Sequence, residues 1–204
     1  MKILAIGKNY VANKDEISAN KTGNQIIFSK PETSLVKNNQ DVVYPSFTKQ
    51  LNYEAELVIK IGKKGKNIPL SDAASYISEI AIGIDYTAKD VFNASRENKG
   101  PWDLGKGFDG AAPISNFLPI SNFTDLSNIN FNLSINGEKK QVGNTSLMIY
   151  NFNDIIAFVS QYMTLEPGDL IFTGTPASGT GEIHKGDHLQ ASIEGELLLD
   201  FKMI

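Results

Sequence analysis

The chain has 204 residues, enough for one substantial hydrophobic core, and 41% hydrophobic and 21% charged content is ordinary for a globular protein. A formal net charge of −4 gives no general attraction to nucleic acid, and the absence of cysteine removes disulfides, zinc–thiolate sites and thiol nucleophiles together. No apolar run approaches the ~20 residues of a membrane helix, the apolar stretch in MKILAIGKNY is too short for a signal segment, and no linker divides the chain. The expectation is a single cytoplasmic domain over residues 1–204 with no nucleic-acid or membrane partner.

Residues 2–6 (KILAI) predict a short buried strand, and GKNYVANKDEISANKTGNQ behind them is polar and without periodicity. Residues 9–30 are therefore read as a candidate lid, closing with a second strand at QIIFS. VVYP predicts a further short strand, ended by Pro45. Residues 53–61 alternate, with Glu54, Glu56 and Val58 on one face and Ala55, Leu57 and Ile59 on the other. Ser71 as a cap and Asp72 at the positive helix end predict a short helix in DAASYISEI, followed by an apolar run that finishes at Asp85. DVFNASRENKG predicts a short helix or turn stopped by Gly100-Pro101, which leaves Trp102 and Lys106 in a loop. INFNLSI, residues 129–135, alternates up to Asn136-Gly137, the signature of a two-residue hairpin turn, with a return strand at 138–142. Residues 151–162 place Phe152, Ile155, Ile156, Phe158 and Val159 on a helical stripe. Pro-Gly-Asp, Lys-Gly-Asp and Glu-Gly turns then separate three short strands in LEPGDLIFTGTP, KGDHLQASIEG and ELLLDFKM. The pattern is α+β and predominantly β, with no internal repeat.

Glu54 and Glu56 carry the chemistry. Side chains two apart on a strand point the same way, and two adjacent carboxylates need a compensating cation. With Asp85 from a neighbouring strand as a third oxygen donor, the fitting ions are Mg²⁺ or Mn²⁺. Spacing alone does not decide this, because a Glu-x-Glu pair is most often a solvated strand face and a lone Asp is as often a turn or cap residue. His184 and His188 lie far in sequence from the acids and are read as exposed, without a role. ASGTG lacks the lysine and following helix of a phosphate-binding loop.

The order YEAEL, GIDYTAKD, KGPWDLGKGFDGAAP, LEPGDLIFTGTP and KGDHLQASIEG resembles the fumarylacetoacetate hydrolase family, in particular its short single-domain members. These include acylpyruvate hydrolases, oxaloacetate decarboxylases or tautomerases, and hydroxymuconate or hydroxyheptadienedioate isomerases. The likeness runs over most of the chain and implies a mixed β-sandwich roll with few short helices, a carboxylate-bound Mg²⁺ or Mn²⁺, and a homodimer. On the family pattern the metal ligands fall on Glu54, Glu56 and Asp85, and the active-site lysine on Lys106, whose ammonium would stabilise negative charge on a bound enolate or carboxylate. Thr175 matches a position at the substrate pocket, where its hydroxyl and neighbouring amides would hold a carboxylate.

The departures from the family pattern bear on the reaction. Hydrolases of the family often carry on the lid a His and, three residues later, a Glu; here those positions are Asn13 and Glu16. Asn cannot accept a proton, so Glu16 would act alone. Lys89 replaces the common arginine, exchanging a bidentate contact for a point charge, and Phe92 stands where some relatives carry a polar pocket residue. The expected catalytic set is Lys106, Glu16 and Asn13, with Lys89, Thr175 and Lys106 binding a small 2-oxo or 2,4-dioxo acid. From a shared enolate, the missing His favours decarboxylation, tautomerisation or isomerisation over C–C hydrolysis. The alternative is a relative that keeps fold and metal, has lost catalysis and serves as a binding protein.

Overall fold

Period-two alternation decides which side of the largest sheet each residue serves. In the computed structural model, which describes residues 1–204, this sheet runs from edge to edge through Ile26–Lys30, Ile3–Gly7, Leu170–Phe172, Ala55–Ile61, Ile77–Ile84 and Leu118–Pro119. Ile3–Gly7 and Leu170–Phe172 pair in parallel and the other neighbours are antiparallel, so the sheet is mixed. Leu4, Ile6, Leu57, Ile59, Ile80 and Ile82 face the main core, whereas Ile3, Ala5, Val58, Ala81 and Leu170 pack on the opposite side.

A four-stranded antiparallel sheet, Glu138–Asn144, Asn130–Ile135, His188–Ile193 and Glu196–Lys202, supplies the other wall of that core. Its hairpin turns at Asn136 and Gly137, whose φ values of 53° and 79° are those the Asn-Gly pair is suited to adopt. The helix Phe152–Tyr162 covers the core with Phe152, Ile155, Ile156 and Val159; Phe158 is only half-buried, against Tyr162. Asn151 and Asp154 form a capping box at its start. The architecture is the expected one, mixed sheets with few short helices.

Three local expectations fail, each for a tertiary reason. VVYP is not a strand: Val42 and Tyr44 bond the backbone of Lys202 and Ile204, and Pro45 then has no N–H to continue the ladder. Ser71 caps no helix, because its hydroxyl turns to Asp72 Oδ1, and only a single 3₁₀ turn forms at Ala73–Tyr76. From Ile77 the chain is extended, since its β-branched residues pair with Ala55–Ile61. Lys106 belongs to one helical turn, Asp103–Lys106, rather than to a loop, while Trp102 caps that turn. Elsewhere Lys89–Glu97 is helical, as DVFNASRENKG predicts. Residues 9–30 open with a buried, backbone-anchored Asn9, carry an exposed stretch with short turns at Lys14–Glu16 and Ile17–Asn20, and end in the Ile26–Lys30 strand.

Asp169 fastens the N-terminus into the sheet. The Pro167-Gly168 turn, with Gly168 at φ 90°, brings it to the Leu170–Phe172 strand, where Oδ1 accepts from Lys2 N at 2.7 Å and Oδ2 from Glu166 N at 2.8 Å. The Lys2 ammonium lies 2.6 Å from Oδ2. Burial pushes the Asp169 carboxyl up, but the Lys2 ammonium and the two backbone N–H groups outweigh it and hold it below its ordinary value. A depressed carboxyl contributes stability above its unfolded pKa and loses it as pH falls through the folded value. Asp169→Asn is therefore expected to cost roughly 1–3 kcal/mol at pH 7 in urea unfolding, and its deficit should narrow as the pH drops below about 4.

Candidate metal centre and active-site cleft

Both acidic positions fall where the chain leaves the large sheet for a small one. Glu54 separates Leu51–Tyr53 from Ala55–Ile61, and Asp85 follows Ile77–Ile84 just before Thr87–Ala88. Leu51–Tyr53 is the middle strand of a three-stranded sheet, between Thr87–Ala88 and Gly181–Glu182. The two crossings are tied by a 2.7 Å hydrogen bond from Asp85 N to Glu54 O. Glu54, Glu56 and Asp85 consequently present one carboxylate oxygen each within 4.8 Å of one another.

Two lysines answer these acids. Lys106 Nζ donates to Glu54 Oε2 and to Asp85 Oδ2, both at 2.8 Å. Lys30, whose side chain is fully buried, places Nζ 2.7 Å from Asp85 Oδ1 and donates to the backbone carbonyl of Lys106. Burial alone would raise the Asp85 carboxyl, yet Lys106 and Lys30 hold it below the usual carboxylate range. Lys106 is likewise held above its ordinary value, since Asp85 and Glu54 outweigh the cost of burial. Burial prevails at Lys30 and lowers it in spite of Asp85.

Glu56 has no such partner. It accepts only the Gly174 N–H, at 2.7 Å, and burial followed by repulsion from Asp85 and Glu54 pushes it well above its ordinary value. Three carboxylates against two ammonium groups leave one negative charge uncompensated. A divalent ion fits this deficit and the all-oxygen donor set. It would convert the deficit into one excess positive charge, which suits a monoanionic carboxylic acid.

The strand bearing the acids is clamped from the second sheet. Ala55 N donates to Gln141 Oε1 at 2.8 Å, and Thr175 Oγ1 donates to Ala55 O at 2.9 Å while accepting from Gln141 Nε2 at 2.9 Å. The Thr175 hydroxyl proton is thus directed at Ala55 O.

The acids form the floor of a cleft of about 540 Å³. One wall carries Phe28, Phe92 and Trp102, and Lys89 and Arg96 stand near Phe92 with their charges 5.7 and 5.6 Å from its ring centre. Gly105 allows this packing: a Cβ there would lie 2.8 Å from Phe92 Cα and Cβ. Tyr10, from GKNY, faces the cleft with its buried hydroxyl unpartnered. Glu54, Glu56, Asp85, Lys106, Lys89 and Thr175 all line the cleft, as predicted positions. Asn13 and Glu16 do not line it; Asn13 Nδ2 donates to Glu16 Oε1 at 2.7 Å on the exposed stretch. Lys30, Gln141, Tyr10 and Arg96 were not foreseen from the sequence. For Lys30 the available signal was a lysine closing an apolar strand immediately before a proline. His184 is exposed, whereas His188 is half-buried and paired with Asp200 Oδ1 at 2.5 Å, away from the cleft.

A mixed β fold that brings three carboxylates and Lys106 to the floor of a cleft, with Lys30 buried beside Asp85, defines a site able to hold a divalent ion and a small anion. The family profile described as "Fumarylacetoacetate (FAA) hydrolase C-terminal" matches residues 2–200, and the chain belongs to the fumarylacetoacetate hydrolase family. It is 36% identical over 201 residues to the mitochondrial oxaloacetate tautomerase of Mus musculus, covering 98% of this chain and 90% of the relative. It is 37% identical over 195 residues to the mitochondrial oxaloacetate decarboxylase of Dictyostelium discoideum, covering 95% and 89%. The crystal structure of fumarylpyruvate hydrolase from Pseudomonas aeruginosa in complex with Mn²⁺ and pyruvate superposes with a TM-score of 0.89 at 31% identity, covering 100% of this chain and 90% of that one.

Removing one partner of a buried ion pair strands the other charge. Lys30→Met is expected to destabilise the fold by roughly 3–5 kcal/mol, read as a lower urea midpoint with an unchanged slope.

Proposed function

We propose that this protein is a divalent-metal-dependent enzyme acting on small 2-oxo or 2,4-dioxo acids by way of an enolate. The carrying observation is the uncompensated charge at Glu56, set beside the two lysine-paired acids. Glu54, Glu56 and Asp85 would hold Mg²⁺ or Mn²⁺, which supplies Lewis-acid polarisation of the substrate's oxo group.

The remaining chemistry belongs to the chain. Lys106, buried and kept charged by Glu54 and Asp85, stabilises negative charge developing on the substrate oxygen. Lys89 at the cleft wall pairs with the carboxylate of the acid, as a point charge rather than a fork. Thr175 acts through Ala55, keeping the Glu54–Glu56 segment in register. Glu16 moves a proton to or from carbon when the exposed stretch closes over the cleft; Asn13, already bonded to it, orients the carboxylate and cannot serve as a base. Closure also keeps bulk water from the enolate. With Asn13 in place of a His beside Glu16, proton transfer at carbon, hence tautomerisation or decarboxylation, is favoured over hydrolysis. The oxaloacetate-directed activities named for the mouse and Dictyostelium relatives support this choice.

Turnover of oxaloacetate and acetylpyruvate with Mg²⁺, with Mn²⁺ and with chelator tests the proposal. Metal-dependent activity on either acid is expected; none on any member of the panel sinks it in favour of a binding protein. Glu56→Gln should abolish calorimetric binding of Mn²⁺ while the far-ultraviolet circular dichroism stays native, and unchanged binding would refute the ligand set. Glu16→Gln should lower kcat by about 100-fold with little effect on metal affinity.

A further inference from the structure

The carboxylate oxygens of the floor are not equivalent. Asp85 Oδ1 faces Lys30, whose ammonium lies 2.7 Å away, and Glu54 Oε1 accepts from the Thr87 hydroxyl at 3.3 Å. Glu56 Oε2 takes the Gly174 N–H. The remaining oxygens of Glu54 and Asp85, Oε2 and Oδ2, both accept from Lys106 Nζ at 2.8 Å. Lys106 is thus a monovalent cation bridging two of the three acids, through the very oxygens that the fixed donors leave to a metal ion. The backbone beneath it is tied down, because Lys30 donates to the Lys106 carbonyl and Gly107 N bonds Asp103 O. Only the side chain has freedom to move. Its Nζ lies 5.2 Å from the Phe28 ring centre and 5.9 Å from that of Phe92, inside the roughly 6 Å range of a cation over a ring face.

Resting on the function proposed above, we infer that Lys106 and the divalent ion compete for Glu54 and Asp85, so that loading the site swings the Lys106 ammonium off these acids and into the cleft. Hydrogen bonds from Lys106 occupy oxygens that the ion needs as ligands, and an ammonium beside a doubly charged ion is repelled. The faces of Phe28 and Phe92 receive the departing charge. Asp85 keeps Lys30 throughout the exchange and is never an unpaired buried charge, while Glu54 keeps Thr87. The Lys106 contact is therefore autoinhibitory. A substrate acid arriving before the ion meets a lysine whose donors are spent on Glu54 and Asp85. One that arrives after the ion meets a released ammonium at the mouth of the charged floor. Lys106 couples the two ligands in that order.

Calorimetric titration of Mn²⁺ into the full chain tests the inference. Lys106→Met is expected to bind Mn²⁺ at least about tenfold more tightly than the wild type. Lys106→Gln keeps a donor without the charge and should gain part of that; it stands in if the Met variant does not fold. A lysine that merely spaces the acids predicts the opposite, weaker binding in both variants. Lys8→Met removes an exposed ammonium of the cleft lining that pairs with no carboxylate, and its affinity should stay within about threefold of the wild type. The second readout is Trp102, the chain's single tryptophan, which packs against both Phe28 and Phe92. Saturating Mg²⁺ should shift its fluorescence in the wild type and leave it unshifted in the Lys106 variant. Unchanged or weaker Mn²⁺ affinity in both Lys106 variants, an equal gain in Lys8→Met, or an equal emission shift with and without Lys106 would overturn the inference. Mn²⁺ binding by the wild type keeps the proposed function alive in each of those cases, and no binding by the wild type or either Lys106 variant removes both.

Discussion

Three carboxylates held at one point are the constraint around which this fold is arranged. Moving each charge out of water costs several kcal/mol, and mutual repulsion adds to it, so the cluster persists only with cations fixed in place. Lys30 and Lys106 supply two of these from opposite sides. Lys30 ends the edge strand Ile26–Lys30 and Lys106 ends the single turn Asp103–Lys106, so Asp85 joins a sheet edge to a helical turn. Lys30 also bonds the carbonyl of Lys106 and thereby ties the two lysines to each other.

The backbone problem is solved at the same place. A strand that changes sheets breaks its ladder, and the freed N–H and C=O groups need other partners. At Ala55 both are taken by side chains, the N–H by Gln141 and the C=O by Thr175, while Asp85 N bonds Glu54 O. Gln141 lies on the four-stranded sheet, Thr175 follows Leu170–Phe172, and the acids leave the large sheet, so the site sits where separate parts of the fold converge. Rigid placement of charge of this kind lets a pocket stabilise a developing anion without reorganising.

The cleft is divided chemically. Its floor is ionic and its wall aromatic, and family membership speaks to the floor far more than to the wall. Phe92, on the helix Lys89–Glu97, joins Trp102 and Phe28 in a three-ring surface.

The sequence by itself determined the local features whose cause is local. Alternation placed Glu54 and Glu56 opposite the core residues of the same strand, Asn136-Gly137 set a hairpin that needs positive φ, and the apolar stripe with its Asn151 cap made the one long helix. The motif order identified the family and drew Asp85, Lys89 and Lys106 into one cleft. Tertiary structure alone decided the rest. Residues 77–80 became strand instead of helix because Ala55–Ile61 offered them a ladder, and Thr175 spent its hydroxyl on Ala55 because Gln141 approached from another sheet. Lys30 became the fully buried counter-charge of Asp85 across 55 positions of chain, a pairing that no spacing encodes, since a carboxylate attracts a lysine through space and not along the sequence.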